Sequence, residues 1–210
     1  LFISCLAVGV ATISGVGSIS ASFTAGLESN ARNLLGGDID LRLVQRDFKS
    51  EHLDWLSKNS KSVSQTAEMR AMARPVKNPK NRTLVELKAI DQAYPLAGKF
   101  KSSVKEPLNS ILKEKNGVWG AVADKNLLRR LDLKINDIVK IGDTLFAIRA
   151  TVVSEPDRAA SFASFGPRLL ITRDALTATQ LIKPGSQIRY HSRVILHSDA
   201  NQILWRDQLE

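Results

Sequence analysis

Charge is missing from the start of this 210-residue sequence. No Lys, Arg, Asp or Glu precedes Glu28, so all 30 basic and all 21 acidic side chains lie from that point onward. A helix of 27 residues rises about 40 Å, which is more than the roughly 30 Å hydrocarbon core of a bilayer. We interpret residues 1–27 as a membrane-spanning helix. A cleaved signal peptide and a buried core helix are the alternatives that this run leaves open.

Small residues recur at helical spacing within this uncharged run. Ala7, Ala11 and Gly15 fall four positions apart. A stripe of small side chains allows two membrane helices to approach closely. We therefore predict that these three residues form a helix-packing face against other membrane helices.

Cysteine and histidine are scarce as well. Cys5 is the only cysteine, which excludes an internal disulfide and a cysteine metal cluster. His191 and His197 would lie about 20 Å apart on one strand, so they cannot share a metal. The sequence also lacks a G-x-S-x-G elbow, an H-E-x-x-H helix and a phosphate-binding lysine loop. We expect no catalytic residue, no metal site and no cofactor.

The basic residues do not form a nucleic-acid motif. The net charge of +9 favours anionic partners, but the basic side chains are dispersed. The densest run, "RAMARPVKNPKNR", flanks a turn. Neither interleaved aromatics nor the spacing of a DNA-binding module accompanies it. We therefore expect no nucleic-acid partner.

Beyond the first helix, the pattern alternates strands with short helices. The predicted order is β-α-β-β, an insertion, and then β-α-β, which indicates an α+β fold with helices against a mixed or antiparallel sheet. Asp124 is the predicted N-cap of one helix, and Ser198 that of the last. The predicted divisions are a membrane helix and stalk (1–35), a core domain (36–198) and the start of a further helix (199–210). Within the core, 36–95 and 166–198 form one lobe and 96–165 an inserted β-rich lobe.

One loop carries an unusual mixture of charged and aromatic residues, "SEPDRAASFASFGPRLLI". Asp157, Arg158 and Arg168 are candidates for a pin that fixes the loop, through an Asp157–Arg158 or an Asp157–Arg168 pair. Phe162 and Phe165 either anchor the loop or form a contact surface for a partner or substrate. No nucleophile–base pair accompanies them, so the loop is a poor candidate for catalysis.

Five stretches, in this order, carry a resemblance to a family: "LLGGDIDLR", "VELKAIDQAYPLAGKF", "GVWGAVADKNLLRRLDLKINDIVKIGD", "EPDRAASFASFGPRLLIT" and "LIKPGSQIRYHSRVIL". Together they resemble the first extracytoplasmic domain of FtsX/MacB-type ABC transporter permeases, and the YbbP-like branch most closely. The resemblance implies a first transmembrane helix, a stalk, a periplasmic core made of a porter-like lobe with an inserted β-rich lobe, and a second stalk that returns to the membrane.

The same resemblance implies a mechanical, non-catalytic function in the bacterial inner membrane. A separate cytoplasmic ATPase of the YbbA, LolD or MacB kind would hydrolyse ATP, and the permease would transmit the resulting motion to its periplasmic domain. The work would be done on a lipid, a hydrophobic molecule or a protein, with membrane lipids and a TesA-like periplasmic thioesterase/lysophospholipase as implied partners. The alternative is a single-pass anchored binding or sensor module.

Overall fold

A computed structural model of the protein describes residues 12, 15–17, 20, 32, 35–160, 166–198 and 200–208. Most of the predicted membrane helix, with Ala7 and Ala11, lies outside these residues, and so do Phe162 and Phe165. Gly15 is helical and exposed, and a methyl group added to it would meet no atom within 4 Å. Among the described residues, no helix combines the length and the apolar character that crossing a membrane requires.

The described chain contains nine strands. They are β1 (Ile39–Val44), β2 (Ser62–Pro75), β3 (Thr83–Ile90), β4 (Lys101–Ser102), β5 (Trp119–Ala123), β6 (Ile138–Ile141), β7 (Thr144–Ser154), β8 (Arg168–Thr172) and β9 (Ile188–Ile195). A 3₁₀ turn, Pro156–Ala160, follows β7.

Five short helices lie between or after these strands. They are α1 (Ser50–Lys58), α2 (Leu108–Leu112), α3 (Lys125–Leu131), α4 (Arg173–Ala178) and α5 (Gln202–Asp207). The side chain of Asp124 accepts a hydrogen bond from the backbone N–H of Asn126, so it caps α3 as predicted. The prediction that Ser198 caps the last helix is wrong. The chain first makes a turn, and the side chain of Asn201 accepts from the first N–H groups of α5.

The strands form a mixed sheet in the order β1-β9-β2-β3-β8-β5-β7-β4, with β6 pairing with both β2 and β7. The pairs β3–β8 and β5–β7 are parallel, and the other pairs are antiparallel. Sheet and short helices together confirm the α+β class.

One face of the sheet carries the main apolar core. Alternate residues of β2, β3 and β8 point into it, and α3 and α4 cover it with buried leucines and alanines. Helices α1 and α5 cover the same face near β1 and β9, where Trp55 and Trp205 stack with ring centroids 5.3 Å apart. A smaller apolar cluster on the opposite face joins α2 to β5 and β7.

The two ends of the core chain lie side by side at the β1 edge. β1 pairs with β9 in antiparallel register, with Ile39 opposite Val194. The backbone N–H of Asp38 donates to the carbonyl of Val194 at 2.8 Å, and the N–H of Leu196 donates to the Asp38 carboxylate at 2.9 Å. The segments that precede β1 and follow β9 therefore emerge from the same place.

The predicted inserted lobe, 96–165, contributes β4 to β7. Its strands are bonded to the others through β5–β8 and β2–β6 pairs. The boundaries of the two lobes, the porter-like arrangement and the stalks stay predictions.

Candidate functional site

The most unusual feature of the molecule is a group of charged side chains on the face of the sheet opposite the main core. Strand alternation explains how they come together, because every second residue points to the same face. On β3, Val85, Leu87 and Ala89 enter the apolar core, whereas Glu86 and Lys88 point to the other face. The cross-strand register adds further members from the neighbouring strands. The group, which we call the buried ion cluster, comprises Asp40, Glu68, Glu86, Lys88, Glu155, Asp157, Arg168, His191 and Arg193.

Lys88 lies at the centre of the buried ion cluster. Its side chain has no exposed surface. The ammonium donates to Glu155 Oε1 at 2.6 Å and to both carboxylate oxygens of Asp157 at 2.8 and 2.7 Å. It also lies 3.1 Å from the Tyr94 hydroxyl, which donates to Asp157 at 2.7 Å. All the charge of this buried lysine is therefore met by residues of the segment that follows β7, with Tyr94 beside them.

Two arginines extend the cluster on either side of Lys88. Arg168, at the start of β8, donates to Glu155 at 2.8 Å and lies 3.1 Å from the carboxylate of Glu86. Arg193, on β9, contacts the second oxygen of Asp157 at 2.7 Å. Buried charges are tolerated only when they are paired and hydrogen-bonded. The short segment that contains Glu155 and Asp157 is thus held to three strands at once.

The cluster continues to the β1 edge through Asp40. This carboxylate lies 3.0 Å from His191 Nδ1 and 2.8 Å from Arg42 Nε. Burial raises the pKa of Asp40, but the hydrogen bond from His191 and the nearby cationic side chains outweigh it and lower the pKa below its usual value. The ionic contacts therefore run from the edge strand to the parallel β3–β8 pair.

Electrostatics inside the cluster favour the charged forms. Burial raises the pKa of Asp157, but Lys88 and Arg193 outweigh it and lower the pKa to about 2. For Arg168, burial lowers the pKa, and the carboxylates of Glu155, Glu68 and Glu86 outweigh it and raise the pKa. The pKa of Tyr94 is raised well above its ordinary value by burial and by the neighbouring carboxylates. Tyr94 thus keeps its proton and serves as a donor.

Arg158 belongs to a different contact. It bonds Asp124 at 2.9 Å, and 42% of its side chain is exposed. Its partner also caps α3, so this pair connects the 3₁₀ turn to the first turn of that helix. The pairings predicted from the sequence, Asp157–Arg158 and Asp157–Arg168, are not the ones found among the described residues. Asp157 and Arg158 diverge because neighbouring residues of a turn point in different directions, and Arg168, at the start of β8, pairs with Glu86 and Glu155 instead.

Sequence reasoning missed most of the cluster. Asp157 and Arg168 were singled out, but Lys88, Glu155 and Arg193 were not. A usable signal exists in "LVELKAI", where a Glu and a Lys alternate with strongly apolar residues in the middle of a long sheet. Every residue of β3 from Val85 to Ile90 is buried, so both faces of this strand are covered, and its charged residues must then find buried partners.

The chemistry available to this cluster is ion pairing. The ion pairs join Lys88, Arg168 and Arg193 to Glu155 and Asp157. Over the described part of the chain, no group of three or more His, Cys, Asp or Glu is arranged to hold a metal ion. The arrangement can fix a segment to a sheet.

No protein-family model matches the chain. Over 188 residues, 88% of the chain, it is 26% identical to an uncharacterised ABC transporter permease of Escherichia coli K12, YbbP, and the aligned part is 22% of that permease. The chain thus spans about a fifth of the curated relative that it matches.

Three solved structures are similar in fold. The periplasmic region of MacB from Actinobacillus actinomycetemcomitans has a TM-score of 0.52, 12% identity and 86% coverage of both chains. The extracellular domain of YknZ, a noncanonic ABC-type transporter from Gram-positive bacteria, has a TM-score of 0.50 and 15% identity over 75% of this chain and 77% of that one. A domain of a Porphyromonas gingivalis permease protein has a TM-score of 0.50 and 10% identity, covering 76% of this chain and 65% of that one. At these identities the similarity shows the fold.

Proposed function

We propose that this chain, an extracytoplasmic domain of the FtsX/MacB permease type, transmits motion from an ATPase to the outer side of a membrane. The resemblance predicted from the sequence is confirmed by the E. coli permease relative and by the fold shared with the MacB and YknZ domains. Relatives of this kind are membrane-associated permeases with extracytoplasmic domains. A permease is consistent with a non-catalytic subunit of a transporter. The mechanical function itself is our inference.

The observation that carries this proposal is the position of the two core ends. The residue before β1 and the end of β9 meet at one edge of the sheet, where Asp38 forms hydrogen bonds with Val194 and Leu196. If residues 1–35 and 199–210 are the outgoing and returning stalks, any change in their separation or tilt acts directly on the β1–β9 pair. Because β9 also pairs with β2 along eight residues, that pair cannot move without the sheet.

The buried ion cluster supports transmission beyond the edge strands. Ionic contacts run from Asp40 on β1 to Arg193 on β9, from Arg193 to Asp157, and from Asp157 to Lys88 on β3. Buried ion pairs are directional and costly to separate, so they favour movement of the sheet and the 155–157 segment as one body. We infer that motion at the stalks reaches the predicted inserted lobe through this cluster.

Several finer parts of the proposal rest on the resemblance alone. The ATPase partner would be a separate cytoplasmic subunit of the YbbA, LolD or MacB kind, and the membrane would be the bacterial inner membrane. A TesA-like enzyme and membrane lipids are proposed partners, with a lipid, hydrophobic or protein substrate. Phe162 and Phe165 stay candidates for the contact surface, and Ala7, Ala11 and Gly15 for helix packing.

The test uses the full-length permease with its ATPase in lipid nanodiscs. A donor dye at the exposed Lys58 of α1 and acceptor dyes on lipid headgroups report the height of the domain above the bilayer. We expect energy transfer to change between the nucleotide-free and ATP-bound states. A five-residue flexible insertion after residue 34 should abolish this change while ATP hydrolysis continues.

A matched insertion between Asn78 and Pro79, in the exposed β2–β3 turn, should leave the change intact. Energy transfer that is independent of nucleotide in the unmodified complex would contradict the mechanical proposal. That result would favour the alternative, an anchored binding or sensor module. Further apolar segments of about 20 residues in the complete protein also separate the two, since a single-pass module has none.

A further inference from the structure

A second surface lies next to the buried ion cluster, where Tyr94, which donates a hydrogen bond to Asp157, also lines a groove. It is an open groove of about 770 Å³ between the 94–109 segment and the end of β7. We call it the lysine groove, and its relevant lining residues are Lys99, Phe100, Lys101, Lys105, Leu108 and Val153. Among the described strands, β4 pairs with β7 alone, and Lys101 lies opposite Ser154, the residue before Glu155 of the buried ion cluster.

The charged side chains of the lysine groove are mostly positive. Lys99, Lys101 and Lys105 are all exposed, and Glu106 is the only acidic residue that lines the groove. None of the three lysines has a carboxylate within ion-pair distance in the described part of the chain. Three cations gathered around one carboxylate, with which none of them forms an ion pair, raise the local positive potential and attract an anionic partner.

The floor of the groove is apolar and fixed in place. Phe100, Val104 and Leu108 pack against the apolar cluster beneath α2, which holds them in position. Val153 is 59% exposed beside them, although a large aliphatic side chain gains by burial. An apolar centre with a charged rim is the composition of a protein–protein contact.

We propose that the lysine groove binds an acidic, partly apolar segment of an extracytoplasmic partner protein. This inference rests on the proposed function, because an extracytoplasmic position makes partner proteins outside the membrane available to the groove. The apolar floor between the lysines favours a protein segment that carries apolar side chains over lipid headgroups, which offer charge alone. The open shape of the groove suits an extended peptide, whose acidic side chains would meet the lysines while its apolar ones contact Phe100 and Val153.

The test is binding of a fluorescent peptide, EFEVELE, to the full-length permease in nanodiscs without nucleotide, measured by fluorescence anisotropy. The control peptide QFQVQLQ keeps the apolar residues and removes the charge. We expect the acidic peptide to bind about tenfold more tightly than the control, and less tightly as salt increases. The triple variant Lys99→Glu, Lys101→Glu and Lys105→Glu should weaken its binding by at least about tenfold.

A matched variant separates the groove from the overall charge of the protein. Lys58→Glu, Lys61→Glu and Lys80→Glu change three exposed lysines elsewhere by the same total charge and should leave binding within about twofold. Val153→Ser, an exposed substitution that spares the core, should weaken binding several-fold. Equal weakening by both triple variants, or no binding of the acidic peptide to the unmodified protein, would overturn the proposal.

Vesicles distinguish a membrane from a protein partner. The unmodified protein and the triple variant Lys99→Glu, Lys101→Glu and Lys105→Glu (the groove variant), each in nanodiscs of neutral lipid, are mixed with phosphatidylglycerol vesicles or with the peptide. If the groove variant loses vesicle binding but keeps peptide binding, the surface is a lipid contact and the proposal fails. Neither assay uses ATP, so a failure here leaves the nucleotide-dependent movement of the domain unaffected, and a failure of that movement leaves peptide binding unaffected.

Discussion

The two faces of strand β3 are equally buried and are held by different forces. Leu87 and Lys88 are adjacent in the chain, and each has 0% exposed surface. Leu87 is surrounded by apolar side chains of the main core, whereas Lys88 is surrounded by Glu155, Asp157 and Tyr94. The apolar face is non-directional and tolerates small repacking. The charged face requires specific partners, so it determines which segment covers the sheet.

This difference means that the charged face selects the segment that covers it. The apolar face would accept any helix with a suitable stripe. The charged face accepts only a segment that places two carboxylates against three cations, and the residues after β7 meet that requirement. Buried ion pairs often contribute little net stability compared with apolar residues of similar size, but breaking one is costly. Specific positioning of the 155–157 segment is therefore what the cluster provides.

Removing the central cation should have the largest effect. We expect Lys88→Met to lower the free energy of unfolding by about 3–5 kcal/mol, because Glu155 and Asp157 remain buried without their main partner. Urea denaturation of the chain in mild detergent, followed by tryptophan fluorescence, measures this change. Leu87→Ala, at about 2–5 kcal/mol, is the benchmark for the apolar face.

Lys80→Met is the matched control for that experiment, since Lys80 is exposed in the β2–β3 turn and should cost less than about 0.5 kcal/mol. A cost below about 1 kcal/mol for Lys88→Met would mean that the two faces differ less than their contacts indicate.

Arg168→Ala should rank second. The substitution removes an ion-pair partner of Glu86 and one of the three partners of Glu155, and Lys88 and Tyr94 still contact Glu155. We expect a loss of about 3 kcal/mol, the upper end of the range for losing a hydrogen bond to a charged group. The same urea denaturation measures it, and Arg168→Lys should recover part of the loss. Identical stabilities for the alanine variant and the unmodified chain would exclude Arg168 as a pin.

Sequence reasoning recovered the order of strands and helices because that order depends on local signals. Alternation predicted β1, turn residues predicted the β2–β3 hairpin, and Asp124 predicted the start of α3. The start of α5 was misplaced because Ser198 and Asn201 are both good caps, and only the intervening turn decides between them.

The buried ion cluster was harder to predict because its pairs are distant in sequence. Lys88 meets Asp157 across 69 positions, and Arg193 meets Thr66 across 127. From the local sequence pattern, a lysine on a strand is predicted to be solvent-exposed, because lysine is almost never fully buried unless it is paired. The covering segment that changes this environment arrives from another part of the chain, and no periodicity records it.

Acid should weaken the charged face selectively. Asp157 has a pKa of about 2 in the folded protein, below its ordinary 3.8, so its charge stabilises the fold fully above about pH 4. That contribution, about 2 kcal/mol, is lost as the pH falls through about 2. In Asp157→Asn the charge is absent at every pH. The difference in unfolding free energy between the two proteins should therefore be largest near pH 6 and shrink steadily below about pH 4. A difference that stays constant over this range would show that the carboxylate charge of Asp157 is not what holds the segment.

Arg158→Ala should have the smallest effect on stability. It compares an exposed arginine, Arg158, with a buried one, Arg168, within the predicted pin. Arg158 is 42% exposed, and water already solvates much of its guanidinium, so its pair with Asp124 is worth less than about 1 kcal/mol. Asp124 keeps its hydrogen bond to the Asn126 N–H after the substitution, so α3 stays capped.

Urea denaturation in low and in high salt measures the effect, which should be small in both and nearly absent at high salt because exposed charges are screened. Asp124→Ala is the matched comparison, since it removes the same ion pair together with the cap and should cost about 1 kcal/mol more. If Arg158→Ala instead costs as much as Arg168→Ala, exposure does not separate the two arginines, and the 3₁₀ turn is fixed at both of its ends by charge.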